Sequence, residues 1–245
     1  MLGAIQGPAE LLPVSSSGHL ALVPRLLDWE YAGLAPDVRK TFEVALHAGS
    51  APALLVALRG RGLGELRHLW LTLLPPVLVG GVFEDAVERR LGSVASVCTG
   101  QVAAGAALLL ADLAPERRGM PDALDHLAVG LAQAVALAPG VSRSGAALTA
   151  ARCRGLSRQA SLLLSLRAAV PVTLAAGALK AVRVARMPLP SELRRPLAVG
   201  CAAALISGLA FLPLLPLLER PGLLRGLACY RMALGAGLAP WSNWT

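Results

Sequence analysis

Charge is scarce in this chain of 245 residues: charged side chains make up 16% of it, against roughly 25% in soluble domains. Hydrophobic residues reach 55%, and mean hydropathy is +0.61. A chain of this size needs a polar surface to stay in water, and this composition does not supply one. A soluble domain is excluded, and an integral membrane protein remains. Aromatics are also scarce, at 4%, so there is little from which to build a base-stacking platform. The net charge of +8 therefore does not point to nucleic acid, and no nucleic-acid partner is expected. The basic residues fall instead between apolar runs: Arg59, Arg61 and Arg67; Arg117 and Arg118; Arg152, Arg154 and Arg158. That pattern suits loops that meet anionic lipid head groups. Cys98, Cys153, Cys201 and Cys229 stand far apart, which argues against a disulfide framework or a cysteine metal site. No secretory signal peptide is evident, so the first segment would itself serve as the membrane signal.

Long apolar runs are what the chain does have. A spanning helix needs about 20 apolar residues, and runs at 42–58, 69–83, 94–114, 161–179, 197–218 and 226–240 predict about six spans. Proline inside several of them, including Pro52, Pro75, Pro76 and Pro171, predicts kinks. Basic residues divide evenly between the loops of the two sides, so charge sets no orientation.

Two further apolar stretches are interrupted. Stretch 2–27 is broken by Pro8, Pro13 and Gly18, and stretch 123–151 by Pro139, Gly140 and Gly145. Their arms are too short to cross a bilayer, so each is predicted to be a re-entrant helical hairpin. Such breaks are tolerated at membrane depth only inside protein or beside a wet cavity. The two also echo each other: Gln6, Ser15, Ser17 and Gly18 match Gln133, Ser142, Ser144 and Gly145. Three predicted spans separate them, an odd number, which makes the repeats inverted. The fold class expected is all-α: one polytopic membrane domain over 1–245, six spanning helices plus two re-entrant hairpins, with repeat halves near 1–114 and 123–245.

The ionisable residues in these breaks are expensive unless functional. In 139-PGVSRSG-145, glycines allow a tight turn, Ser142 and Ser144 offer hydroxyls, and Arg143 offers a planar cation with five donors. Backbone N–H groups at a helix start add a positive dipole. Together they could cradle a doubly charged oxyanion such as phosphate; the alternative is a helix cap with a snorkelling arginine. In the first break, Gln6 and Glu10 share a helix face at i, i+4 and offer oxygen ligands suited to Mg2+ or Ca2+. Ser15, Ser16 and Ser17 supply hydroxyls for phosphate binding or attack, and His19 could move a proton. Here too a cap with a surface histidine is the alternative. Glu43 and His47 make a polar face on one span, lining a cavity or the interface. Arg167 needs a partner within its span, and Arg231, beside Tyr230, pairs or snorkels.

Taken together, 6-QGPAELLPVSSSGHL-20, 41-TFEVALHAGS-50, 139-PGVSRSG-145 and 230-YR-231 resemble the undecaprenyl-diphosphate phosphatases, the bacitracin-resistance membrane family. The resemblance runs the length of the chain. It implies removal of the terminal phosphate of a C55 isoprenoid diphosphate on the outer face of the bacterial plasma membrane, which recycles the lipid carrier for wall polymers. It also implies a divalent metal and functional positions at Gln6, Glu10, Ser15, Ser16, Ser17, His19, Ser142 and Arg143. The expected partners are a polyprenyl diphosphate lipid and the surrounding membrane lipids; a homodimer is left open. Against the family pattern, Gln6 stands where many members have glutamate, His47 where glutamine is common, and Arg167 where an apolar residue is usual.

On this basis Glu10, Ser16, His19 and Arg143 are the candidate catalytic set, with His19 activating Ser16 or a water. Ser15, Ser17, Ser142, Arg143 and Ser144 hold phosphate, and Gln6 and Glu10 hold the metal. The rival classes are a polyprenyl-phosphate transporter of the same architecture and a binder of lipid diphosphate without turnover.

Overall fold

The computed structural model describes residues 1–59, 66–185 and 191–241; Arg61, counted above among the loop cations, lies outside them. The described residues are mostly helical, and the strand-like feature among them is an isolated bridge between Arg118 and Leu156. The helices are α1 (Leu2–Leu11), α2 (Ser16–Leu26), α3 (Pro36–Ala57), α4 (Leu69–Leu91), α5 (Val94–Leu113), α6 (Ala123–Val135), α7 (Arg143–Cys153), α8 (Arg158–Ala185), α9 (Ser191–Phe211) and α10 (Leu223–Leu238). Local signals set their starts. Pro36 sits in the first turn of α3, where its missing N–H costs nothing. Ser93 caps α5, and Asp122 and Asp125 form a reciprocal capping box on α6.

The long helices fall on the predicted spans but extend past several of them. The α3 helix starts at Pro36 and α4 continues to Leu91, because polar turns carry them beyond the apolar runs. The helix over 197–218 is not uniform. It is α-helical to Phe211 and then a 3-10 helix over Leu212–Glu219, where Pro213 and Pro216 fall and withhold backbone donors. Val94–Leu113 and Ser191–Glu219 are long and apolar enough to cross a membrane by length and composition, and Leu69–Phe83 is a shorter apolar stretch. In α1, α2, α6 and α7 the arms have 10, 11, 13 and 11 residues. At about 1.5 Å per residue, no single arm covers a hydrocarbon core of about 30 Å.

Polarity is turned inside out. Trp70, Leu78, Phe83, Leu110, Leu131 and Ile206 point outward. Gln6, Gln101, Asp112, Gln133, Arg152 and Arg231 are at most 2% exposed, and the two arginines are among the largest fully buried side chains. That is the arrangement a lipid solvent demands, and the fold is that of a membrane protein.

Without a hydrophobic drive between helices, close contact of small residues carries the packing. A Cβ on Gly3 or Gly7 of α1 would run into α9 at Gly200, Ala204, Ser207 and Gly208. The Ser207 hydroxyl also donates to the Gly3 carbonyl at 3.0 Å. At the residue 127 positions after Gly3, Gly130 of α6 meets the α4 backbone at Leu71 and Thr72 in the same way. The first arm of each hairpin thus packs on a long helix from the other half of the chain. Between them, Leu11, Leu54, Leu108, Leu148, Leu166, Leu215 and Leu224 form the main apolar cluster.

The far end of α7 is closed by charge. Asp112 is fully buried and lies 2.7 Å from Arg158 Nε, 3.3 Å from Arg225 Nε and 3.9 Å from Arg152 Nε. Arg152 also donates to the carbonyls of Asp112, Ala114 and Leu156. Removing one partner of such a network strands the others in low dielectric. We expect Asp112→Ala to cost about 3–5 kcal/mol, read as a lower thermal midpoint of the purified protein in detergent. An unchanged midpoint would show that the network contributes nothing to stability.

Candidate active site

The two chain breaks are built alike. Ser15 and Ser142 have φ of 70° and 72°, a left-handed backbone that costs a non-glycine residue on the order of 1–3 kcal/mol. Each serine hydroxyl then accepts the backbone N–H three residues on, from Gly18 at 3.2 Å and Gly145 at 3.1 Å. Each also lies beside the hydroxyl two residues on, Ser15 to Ser17 at 3.4 Å and Ser142 to Ser144 at 3.3 Å. These caps start α2 and α7, whose positive dipole ends therefore open at the breaks.

An arginine on α10 holds the breaks together. Arg231 is fully buried. It donates to the Pro13 carbonyl at 3.1 Å, to Gly140 at 2.9 Å and to Val141 at 2.7 Å. Its Nε donates to Gln101 Oε1 at 2.9 Å, and Gln101 Nε2 donates to the Val14 carbonyl at 3.1 Å. The pair satisfies residues 13 and 14 in one break and 140 and 141 in the other, which no helix serves. Gly18 and Gly145 give it room: a Cβ there would sit 2.7 Å from Gln101 Nε2 and from Arg231 Nη1 respectively.

Across this clamp the polar side chains of both halves converge on Glu10. Its Oε2 accepts from Ser16 Oγ at 2.7 Å and from Gln6 Nε2 at 3.1 Å, and lies 3.5 Å from His47 Nε2. Its Oε1 faces Arg143 Nη2 at 3.4 Å. Ser144 donates to the Leu12 carbonyl at 3.1 Å, and Ser165 donates to the Ser144 carbonyl at 3.0 Å. Ser16, Arg143 and Ser144 are partly exposed and Ser17 is exposed, whereas Ser15 and Ser142 are buried. The outer hydroxyls and Arg143 can meet a ligand; the oxygens of the buried serines are engaged as caps.

His19 is oriented differently from the expectation that it would activate Ser16. Its Nδ1 bonds the Ser15 carbonyl at 2.8 Å, and its Nε2 lies 2.7 Å from the Tyr230 hydroxyl, with the rings stacked. The i, i+4 turn of the new helix aims the ring toward α10. The imidazole facing Ser16 is that of His47, 3.5 Å away.

A metal would rest on one carboxylate. Among the described residues no three His, Cys, Asp or Glu side chains gather as ligands. Gln6 nevertheless fits a cation: it is fully buried beside Glu10, and its Oε1 has no hydrogen-bond partner. An orphan buried carbonyl oxygen is costly and is a suitable hard ligand.

The fold and site define a class: a polytopic helical membrane protein with a cluster of glutamate, arginine and serine side chains between two broken helical hairpins. The chain belongs to the family of the bacitracin resistance protein BacA, whose model matches residues 1–237. It is similar to the undecaprenyl-diphosphatase of Geobacter metallireducens, 33% identical over 262 residues, covering 97% of this chain and 95% of that one. It is 36% identical over 267 residues to that of Thermomicrobium roseum, covering 96% and 94%. With that of Pelotomaculum thermopropionicum it shares 35% over 226 residues, covering 85% and 82%.

Sequence reasoning passed over Gln101, although a lone amide within the apolar run 94–114 is the signal that intramembrane polar residues give. Because Arg231 serves three carbonyls in the two breaks and Gln101 besides, Arg231→Ala should destabilise the protein by several kcal/mol, at about 1–3 kcal/mol for each buried group left unpaired. Arg231→Lys, which cannot fan out to the same acceptors, should recover only part of the loss in a detergent melting experiment. Full recovery by lysine would show that charge, not the fork of donors, matters.

Proposed function

We propose that this chain hydrolyses undecaprenyl diphosphate to undecaprenyl phosphate and phosphate, at a site opening to the outer face of the bacterial plasma membrane. This would recycle the lipid carrier for peptidoglycan and other wall polymers and confer bacitracin resistance. Membership in the BacA family and the names of its relatives support the substrate. The observation that carries the site is the meeting of Glu10 and Arg143, 3.4 Å apart, from breaks 133 residues distant in the chain.

In this mechanism the helix starts at Ser16 and Arg143 turn their N–H groups toward the diphosphate, and the Arg143 fork binds its oxygens. Ser17 adds a hydroxyl donor, and Ser144 joins the two breaks by donating to the Leu12 carbonyl, turning to the phosphate only when it gives up that bond. As the bond to the terminal phosphorus breaks, this fixed positive field stabilises the charge that develops on the equatorial oxygens. Ser16, bonded to Glu10, is the proposed nucleophile: its oxygen bonds the terminal phosphorus, the lipid monophosphate leaves, and Glu10 takes the hydroxyl proton. Water then frees the phosphate. His19, with Nδ1–H on the Ser15 carbonyl, accepts the Tyr230 hydroxyl at Nε2, and its proposed part is to exchange that proton with Tyr230. Gln6 and Glu10 would hold Mg2+ or Ca2+, which when bound neutralises phosphate charge. The polyprenyl tail runs out between the apolar helices. The echo of the two breaks supports inverted repeat halves near 1–114 and 123–245.

The test is phosphate release from undecaprenyl or farnesyl diphosphate by the full chain in detergent. Release should be abolished by EDTA and restored by Mg2+ or Ca2+. Glu10→Ala and Arg143→Ala should each lower kcat by about 10²–10³, the loss typical of one electrostatic stabiliser. Ser16→Ala should abolish labelled phosphate trapped on the protein; if it retains most activity, water attacks directly. No release with any divalent cation would overturn hydrolysis and leave transport of the polyprenyl phosphate as the function of the cradle.

A further inference from the structure

The geometry points to His47 as a nitrogen ligand of the divalent cation, so that this chain's site favours a first-row transition metal such as Mn2+ over Mg2+ or Ca2+. The inference rests on the proposed metal site at Gln6 and Glu10 and goes further by naming a third ligand and the metal class that it selects.

The orientation of the ring is set from behind. His47 Nδ1 lies 2.8 Å from the Glu43 carbonyl oxygen, which can only accept. Nδ1 therefore carries a hydrogen, and Nε2 is the ring nitrogen turned toward Glu10. A backbone carbonyl fixing one imidazole nitrogen while the other is presented is the usual support of a metal-bound histidine. Nε2 lies 3.5 Å from both Glu10 Oε2 and Ser16 Oγ, so a cation held by that carboxylate has the ring nitrogen within reach of its coordination sphere, in place of the proton that would otherwise pair the two.

A second observation points the same way. Gln6 is 0% exposed and spends its Nε2 on Glu10 Oε2 at 3.1 Å and on Ser50 Oγ at 3.4 Å. Its Oε1 has no hydrogen-bond partner. An unserved amide oxygen and an imidazole nitrogen thus stand beside the same carboxylate. With a carboxylate oxygen and an amide oxygen alone, the site would suit Mg2+ or Ca2+. An imidazole nitrogen shifts the preference toward softer divalent ions, along the order that rises from Mn2+ through Co2+ to Zn2+ and Cu2+.

Mn2+ is the probe, because its binding and its ligands can be followed by electron paramagnetic resonance without turnover. The full chain in detergent, with 15N-labelled histidine, is titrated with Mn2+, and Mg2+ is then added as competitor. We expect Mn2+ bound more tightly than Mg2+, with a 15N coupling from a directly ligated histidine in the pulsed spectrum. His47→Gln should erase that coupling and weaken Mn2+ by about tenfold or more, the scale of losing a metal-site partner, while Mg2+ affinity changes little. Glu10→Ala should abolish both. The wild-type spectrum alone tests ligation, whatever the variants do to folding. Mn2+ that is lost with Glu10→Ala but shows no histidine coupling overturns the role of His47 and leaves the metal site standing. Mn2+ and Mg2+ affinities unaffected by Glu10→Ala overturn both.

Discussion

The rest of the structure depends on one buried cation. Arg231 lies in a helix surrounded by apolar segments, where an unpaired guanidinium is prohibitively expensive. Two broken hairpins lie nearby, each with carbonyls that no helix satisfies, and orphan carbonyls are equally unwelcome away from water. The two costs offset each other. Arg231, extended by Gln101, meets Pro13, Val14, Gly140 and Val141, residues that correspond pairwise between the breaks. A rigid fork of donors can join two backbones in register in this way, where a compact ammonium could not.

That clamp explains why a second arginine remains available. Arg143 is 24% exposed at its side chain and makes one long contact to Glu10. Arg231 is spent on the fold, whereas Arg143 is held near its target with donors to spare. The strained serines at the helix starts belong to the same economy of donors. By capping α2 and α7 from within, Ser15 and Ser142 leave the Ser16 hydroxyl for Glu10, that of Ser144 for the Leu12 carbonyl and that of Ser17 exposed.

Much of this was legible in the sequence, because lipid punishes exceptions. Proline and glycine inside apolar runs marked both breaks, and a carboxylate, serines and an arginine there marked the site. Glu10 and Arg143 are brought together as the pairing of the two motifs implied. The clamp was harder to read. Gln101 carries no charge and belongs to no motif, and Arg231 lies 218 residues from Pro13 in sequence, so nothing local ties them. The orientation of the histidines was not legible either. His19 is three residues from Ser16 yet faces α10, while His47, 31 residues away, faces Ser16. Sequence distance ranks them one way, and the path of the helices ranks them the other. Helix ends drifted where polar turns continued an apolar run, as in α3 and α4.

The position of Arg231 on α10 also bears on how the molecule is made. Synthesis proceeds from the N-terminus, so both hairpins enter the membrane before their common partner exists. Until α10 arrives, the carbonyls at 13, 14, 140 and 141 must borrow water or other transient donors. A nascent chain stopped short of residue 231 would hold most of its helices but no latched cradle. Assembly of the site thereby waits on synthesis through α10: the residues of both breaks are translated first, and the one that locks them together follows them.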